Sequence, residues 1–273
     1  VCSAWSRRRC LLRARRLAGH VPADRRPSAH PRRADRAGSV GLPAPLAALN
    51  AEVVACRRCP RLVDWRERVA AEKRAAFADQ EYWGRPITGF GDPAARILVL
   101  GLAPAAHGGN RTGRVFTGDR SGDWLFASLW RCGLASQPQS VSRDDGLELR
   151  GAYVTAAVRC APPANKPLPV ERDNCFPYLV RELELLRDAR VVVCLGAFAW
   201  DAALRARAAV LGEPPPRPKP RFGHGAELIQ PDRLALLGCY HPSQQNTFTG
   251  RLTEPMIDGV FLRARELAGL GPP

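Results

Sequence analysis

Four cysteines and three loops hold most of the side chains in this 273-residue chain that could do chemistry. Cys56 and Cys59 form the pair "CRRC", while Cys160 and Cys175 bracket "APPANKPLPVERDN". One tight pair plus two dispersed thiols admits a zinc site made of four thiolates, although structural zinc more often takes two tight pairs. The same spacing admits an iron–sulfur cluster, and it is also compatible with no metal at all. Cys132, Cys194 and Cys239 sit in apolar runs and read as inert core residues, and Cys2 and Cys10 belong to an arginine-rich tail. The loops are "GLAPAAHGGNRTGRVFTGD" (101–119), "RCAPPANKPLP" (159–169) and "HPSQQNTFTGRLT" (241–253). The first is rich in glycine, which lets backbone approach a ligand closely.

The elements around these loops place them together. "RILVLGL" (96–102), "AYVTAAV" (152–158), "RVVVCLG" (190–196) and "LALLGCY" (234–240) are short continuous apolar runs, as expected of strands buried on both faces. Helical patterns lie between them, over 121–132, 171–188 and 197–210, and from Thr253 to about Leu267. Trp124, Trp130 and Trp200 read as core residues of these helices. Strands alternating with helices predict an α/β fold with a parallel sheet covered on both faces. In such sheets ligands bind beyond the carboxyl ends of the strands, and each polar loop follows a strand directly. One site is therefore expected at that edge.

Charge divides the chain. Residues 1–43 contain eleven Arg against two Asp, with no Lys or Glu, and read as a disordered tail ahead of a domain over 44–273. Arg outnumbers Lys 38 to 3 across the chain, so part of the basic excess reflects coding bias and part fits an anionic partner. No run approaches the roughly 18 apolar residues that span a bilayer, and the reading is a soluble, intracellular protein without a disulfide framework.

The three loops, with the four cysteines, resemble the family 5 (type B) uracil-DNA glycosylases, the iron–sulfur branch of that superfamily. The resemblance covers about residues 47–269. It implies a three-layer α/β/α domain with a central four-stranded parallel sheet, and a 4Fe–4S cluster on Cys56, Cys59, Cys160 and Cys175. It also implies hydrolysis of the N-glycosidic bond of uracil, and of other deaminated bases, in DNA. Other branches place a carboxylate or amide just after the first strand; here Leu102-Ala103-Pro104 is apolar, as in family 5.

On that resemblance the base is flipped into a pocket, with Phe116 as its stacking plate and Ala103, His107, Gly108, Asn110 and Ser243 around the nucleotide. Asp119, the only acid in its loop, is expected to position water or face the oxocarbenium-like centre, and Asn165 comes next. Core packing and a helix N-cap are the structural alternatives for Phe116 and Asp119. His241 is expected to donate a hydrogen bond to the departing base. Arg111, Arg114 and Lys166 are expected on phosphates, with Arg251 and Leu252 as the wedge entering the minor groove. No lysine is strongly placed to attack C1′, so the expected enzyme is monofunctional, a monomer acting at the nucleoid in the cytoplasm. A nucleoside hydrolase and a non-catalytic iron–sulfur nucleic-acid binder are the rival readings.

Overall fold

A computed structural model describes residues 42–231 and 234–273. The arginine-rich tail expected over residues 1–43 lies outside them, apart from Leu42 and Pro43. Two helices that the apolar pattern did not single out come first, α1 (Ala44–Val54) and α2 (Pro60–Glu72). The strands are β1 (Phe90–Gly91), β2 (Ile97–Gly101), β3 (Ala152–Ala156), β4 (Val191–Leu195), β5 (Glu227–Leu228) and β6 (Ala235–Cys239). The helices between and after them are α3 (Gly109–Thr112), α4 (Arg120–Arg131), α5 (Pro169–Leu185), α6 (Ala197–Leu211), α7 (Gln244–Phe248) and α8 (Glu254–Leu267).

The sheet runs β1-β3-β2-β4-β6-β5. Its four central strands are parallel, and β1 and β5 flank them as antiparallel edges of two residues each. The expectation of four parallel strands therefore describes the centre, and the sheet is wider by two. A two-residue strand is too short to show period-2 alternation, which is why neither edge stands out in the sequence.

All four central strands alternate between two cores. Ile97, Val99, Val154, Val191, Val193 and Leu237 face α4 and α8, joined by Leu125, Phe126, Leu129, Ile257 and Phe261. Leu98, Leu100, Tyr153, Val192 and Leu236 face α1, α5 and α6, joined by Leu46, Leu49, Leu179 and Trp200. This is a three-layer α/β/α arrangement. Of the three tryptophans expected in the core, Trp200 is buried, but Trp124 is half-buried and Trp130 is 49 % exposed. The stripe of α4 that faces the sheet is Leu125, Phe126 and Leu129, and the two indoles fall to its side and back.

Register aligns the carboxyl ends. Gly101 pairs with Ala156, and Leu195 with Cys239. The loops that follow β2, β3 and β6 thus leave one edge together.

Candidate active site

The loop after β2 returns to the sheet through a tight turn that ends at Asp119, the N-cap of α4. Asp119 Oδ1 accepts from the Gly122 amide at 3.0 Å, so the helix-cap role is present. Burial raises the pKa of this carboxyl, although amides of Gly122 and Ser121 work the other way. Gly108 has no side chain because the carboxyl occupies its space: a Cβ there would sit 2.1 Å from Asp119 Oδ2. Phe116 adopts φ 50°, a left-handed conformation that a bulky residue holds only when its surroundings impose it. Its ring lies against the end of β2, where a Cβ on Gly101 would come within 2.6 Å of it.

His241 follows the end of β6, and its ring centroid stands 6.0 Å from that of Phe116 at an interplanar angle of 37°. Desolvation pushes the imidazole pKa down to about 4, so it is neutral near pH 7. Its carbonyl accepts from Asn246 Nδ2 and from the Ser243 amide, each at 2.8 Å, which folds the turn into α7. Ser243 takes the N-cap position of α7 without a side-chain capping bond. Asn165 and Lys166 are exposed on the loop after β3. Ala164 and Asn165 are both left-handed, with φ 51° and 55°.

Several residues expected to touch nucleotide or DNA are interior. Arg114 is 4 % exposed. It donates to Thr117 Oγ1 and Ser140 Oγ and pairs with Asp145 at 2.6 Å, its guanidinium lying 4.7 Å from the Phe90 centroid. Arg111 donates to the His107 and Gly118 carbonyls and to Gln80 Oε1, over the ring of Phe77. Both arginines brace the loop from within rather than holding phosphates. Asn110 is fully buried and donates to the Arg66 carbonyl, so it ties the loop to α2 instead of facing a nucleotide. His107 is half-buried, with Nδ1 3.0 Å from Tyr82 Oη, and Ala103 packs toward the cysteines. Leu252 is fully buried in the α4/α8 core, which removes it as a wedge; it anchors the loop. Arg251 is exposed and stacks on Tyr240.

The most exposed aromatic on that segment is Phe248, at 70 %, and reading the sequence missed it. The guanidinium of Arg120, next to Asp119, stands 5.3 Å from its centroid, so Phe248 belongs to the same rim. Its only signal in the sequence was an apolar residue amid "QQNT" and "TGR", where nothing calls for core packing.

Cys56, Cys59, Cys160 and Cys175 line one cavity with Arg66, Arg159, Asn174 and Tyr178. All four thiols are free. Arg66 Nη1 donates to Cys160 Sγ at 2.9 Å and Asn174 Nδ2 to Cys59 Sγ at 3.3 Å. Among the described residues no three of His, Cys, Asp and Glu converge as a single-ion site would. Burial pushes the Cys160 thiol up to about 12 and Cys175 to about 11. Neutral thiols sealed in this way gain little from neighbouring cations, whereas thiolates on a metal would be stabilised by them.

Known proteins are similar to this sequence. A family model for the Uracil DNA glycosylase superfamily matches residues 88–263. A protein of Mycobacterium bovis named Type-5 uracil-DNA glycosylase is 57% identical over 223 residues, 81% of each chain. Its namesake in Thermus thermophilus is 52% identical over 218 residues, 80% of this chain and 96% of the relative. A Type-4 uracil-DNA glycosylase of Archaeoglobus fulgidus is 36% identical over 114 residues, 41% of this chain and 49% of the relative.

Proposed function

The chain belongs to the uracil-DNA glycosylase superfamily, in its type-5 branch, and on that premise we propose that it excises uracil from DNA in repair. It hydrolyses the N-glycosidic bond of a nucleotide turned out of the helix, accepts other deaminated bases as well, and leaves an abasic site. The observation that carries this reading is the Phe116 ring beside a neutral His241 imidazole at the sheet edge, on the loop that ends at the buried carboxyl of Asp119.

Each residue then has a task. The flipped base stacks on Phe116, a contact that tolerates several base identities. As the glycosidic bond lengthens, the sugar gains positive charge and the base negative charge. The Asp119 carboxylate faces the sugar and orients water, and Asn165 assists from the next loop. His241 donates from its neutral N–H to the carbonyl oxygen of the leaving base, a contact worth a few kcal/mol in a dry pocket. Exposed Lys166 and Arg251 take phosphates, and Phe248 occupies the minor-groove side in the place first expected of Leu252. Ala103, His107, Gly108 and Ser243 frame the pocket rather than react.

The donor set around the four cysteines supports a 4Fe–4S cluster held by Cys56, Cys59, Cys160 and Cys175. When bound it supplies a structural tie, with no redox step required in the hydrolysis. We further read the protein as a monomer working at the nucleoid. Among the described residues, no helix is long and apolar enough to cross a membrane.

The test is release of free uracil from a uracil-containing duplex, compared with release from free deoxyuridine. The proposal expects the duplex to be the substrate and the nucleoside to be inert. Faster turnover of the nucleoside would transfer the site to a nucleoside hydrolase.

A further inference from the structure

The Asn165 loop is held from outside. Ala164 and Asn165 are consecutive left-handed residues; asparagine visits this region readily, but alanine keeps it only when the surroundings enforce it. The loop's own backbone bonds are two short turns, from Asn165 N to Pro162 O and from Lys166 N to Pro163 O, each at 3.1 Å. The Asn165 side chain is exposed and makes no hydrogen bond among the described residues, so the backbone, by fixing the Cα–Cβ direction, is what limits where the amide can reach.

The outside hold comes from α2. Arg61, two residues beyond Cys59, donates Nε to Glu171 Oε1 and Nη2 to Glu171 Oε2, both at 2.7 Å. The same Nη2 reaches the Lys166 carbonyl at 3.1 Å. Glu171 is buried, and its Oε2 also accepts from the Leu168 amide at 2.7 Å. One planar fork thus grips the exit of the loop at a carbonyl and at the first turn of α5. Arg66 on the same helix grips the entrance through Cys160. A guanidinium does this because its donors are fixed in one plane; an ammonium would satisfy one partner at a time.

We propose that Arg61 is a positioning residue for the reaction, which sets the Asn165 amide in the pocket and makes its placement depend on the α2 start that carries Cys59. The inference rests on the reading in which Asn165 helps to handle water. Arg61 touches neither base nor sugar and acts only through the loop.

A double-mutant cycle on the cluster-loaded enzyme tests it, using single-turnover excision from a uracil duplex. Arg61→Ala is expected to slow excision by about 10-fold, with DNA affinity and iron content unchanged, because transition-state geometry alone is lost. In an Asn165→Ala background the same change is expected to cost nothing further. Arg61→Lys keeps the charge and loses the fork, so it should resemble Arg61→Ala; it also serves if the alanine variant does not fold. Losses that multiply in the double variant, or a loss confined to DNA affinity, would overturn the proposal and leave the water role of Asn165 standing. Wild-type excision by Asn165→Ala would overturn both.

Discussion

At the residue scale the site depends on two burial effects of opposite charge logic. Desolvation raises the Asp119 pKa and lowers that of His241 to about 4, because burial disfavours the charged form of each. With Asp119 in the proposed role, excision requires it ionised, so the rate should fall as pH drops through a midpoint above the ordinary aspartate value of about 3.9. No inflection near the usual histidine pKa of about 6.5 is expected, since His241 is already neutral there; an inflection at that pH, lost in His241→Ala, would contradict the account. His241→Ala should slow uracil excision by roughly 10²-fold. A base whose departure is driven by protonation should lose less. The substitution leaves the residue 241 carbonyl and its bonds to Asn246 and Ser243 in place, so equal losses for every base would point to packing against Phe116 instead. Both residues were named from the sequence through the resemblance of their loops, Asp119 as the only acid in the first and His241 in the HPS turn after the last strand. Phe248 was not, since exposure of one apolar residue cannot be read from its neighbours.

At the scale of elements, the loop after β2 is braced by two arginines that point inward. Arg114 closes a buried pair with Asp145. Burial works to raise the Asp145 carboxyl, but Arg114 and three backbone amides outweigh it and hold it at about 2. A carboxyl depressed in the folded state contributes stability above its unfolded pKa of about 3.9, and that contribution is lost as pH falls toward the folded value. Arg114→Ala leaves Asp145 buried and unpaired, and should cost about 3–5 kcal/mol in denaturant unfolding. The salt dependence of DNA binding should stay as it is, whereas exposed Lys166→Ala should reduce that slope by about 1 with stability unchanged. A salt slope altered by Arg114→Ala in a fully stable protein would return that arginine to the DNA surface. The sequence could not sort these cations: 38 arginines dilute the meaning of each, and the partners Ser140, Asp145 and Gln80 lie 26 to 31 residues away. Leu252 was misplaced for a related reason, as a leucine closing a polar loop looks the same whether it anchors or protrudes. The four central strands, by contrast, were plain as short continuous apolar runs bounded by turns.

At the scale of the whole molecule, two layers of helices hold a sheet whose carboxyl edge gathers the chemistry, and four cysteines from three parts of the chain meet beside that edge. Cys56 and Cys59 lie at the start of α2, Cys160 follows β3, and Cys175 is on α5, where buried Glu182 pairs with Arg159 at 2.6 Å. A bound cluster would therefore fasten α2 and α5 to the loop of Asn165. Anaerobically purified protein should contain iron at about four per chain, the content of the cubane cluster type. Cys175→Ala should lose both the iron and folded stability, and stoichiometric zinc without iron would contradict this. Cysteine spacing alone left zinc and iron open, since thiolate ligation is common to both. The central claim is that this fold hydrolyses a glycosidic bond in DNA and stops there. The most direct measurement is incubation of the purified protein with an end-labelled, uracil-containing duplex, followed by analysis with and without alkali. The account predicts strand cleavage at the uracil position only after alkali, the mark of an abasic site. An intact strand in both lanes despite DNA binding, or cleavage without alkali, would contradict it.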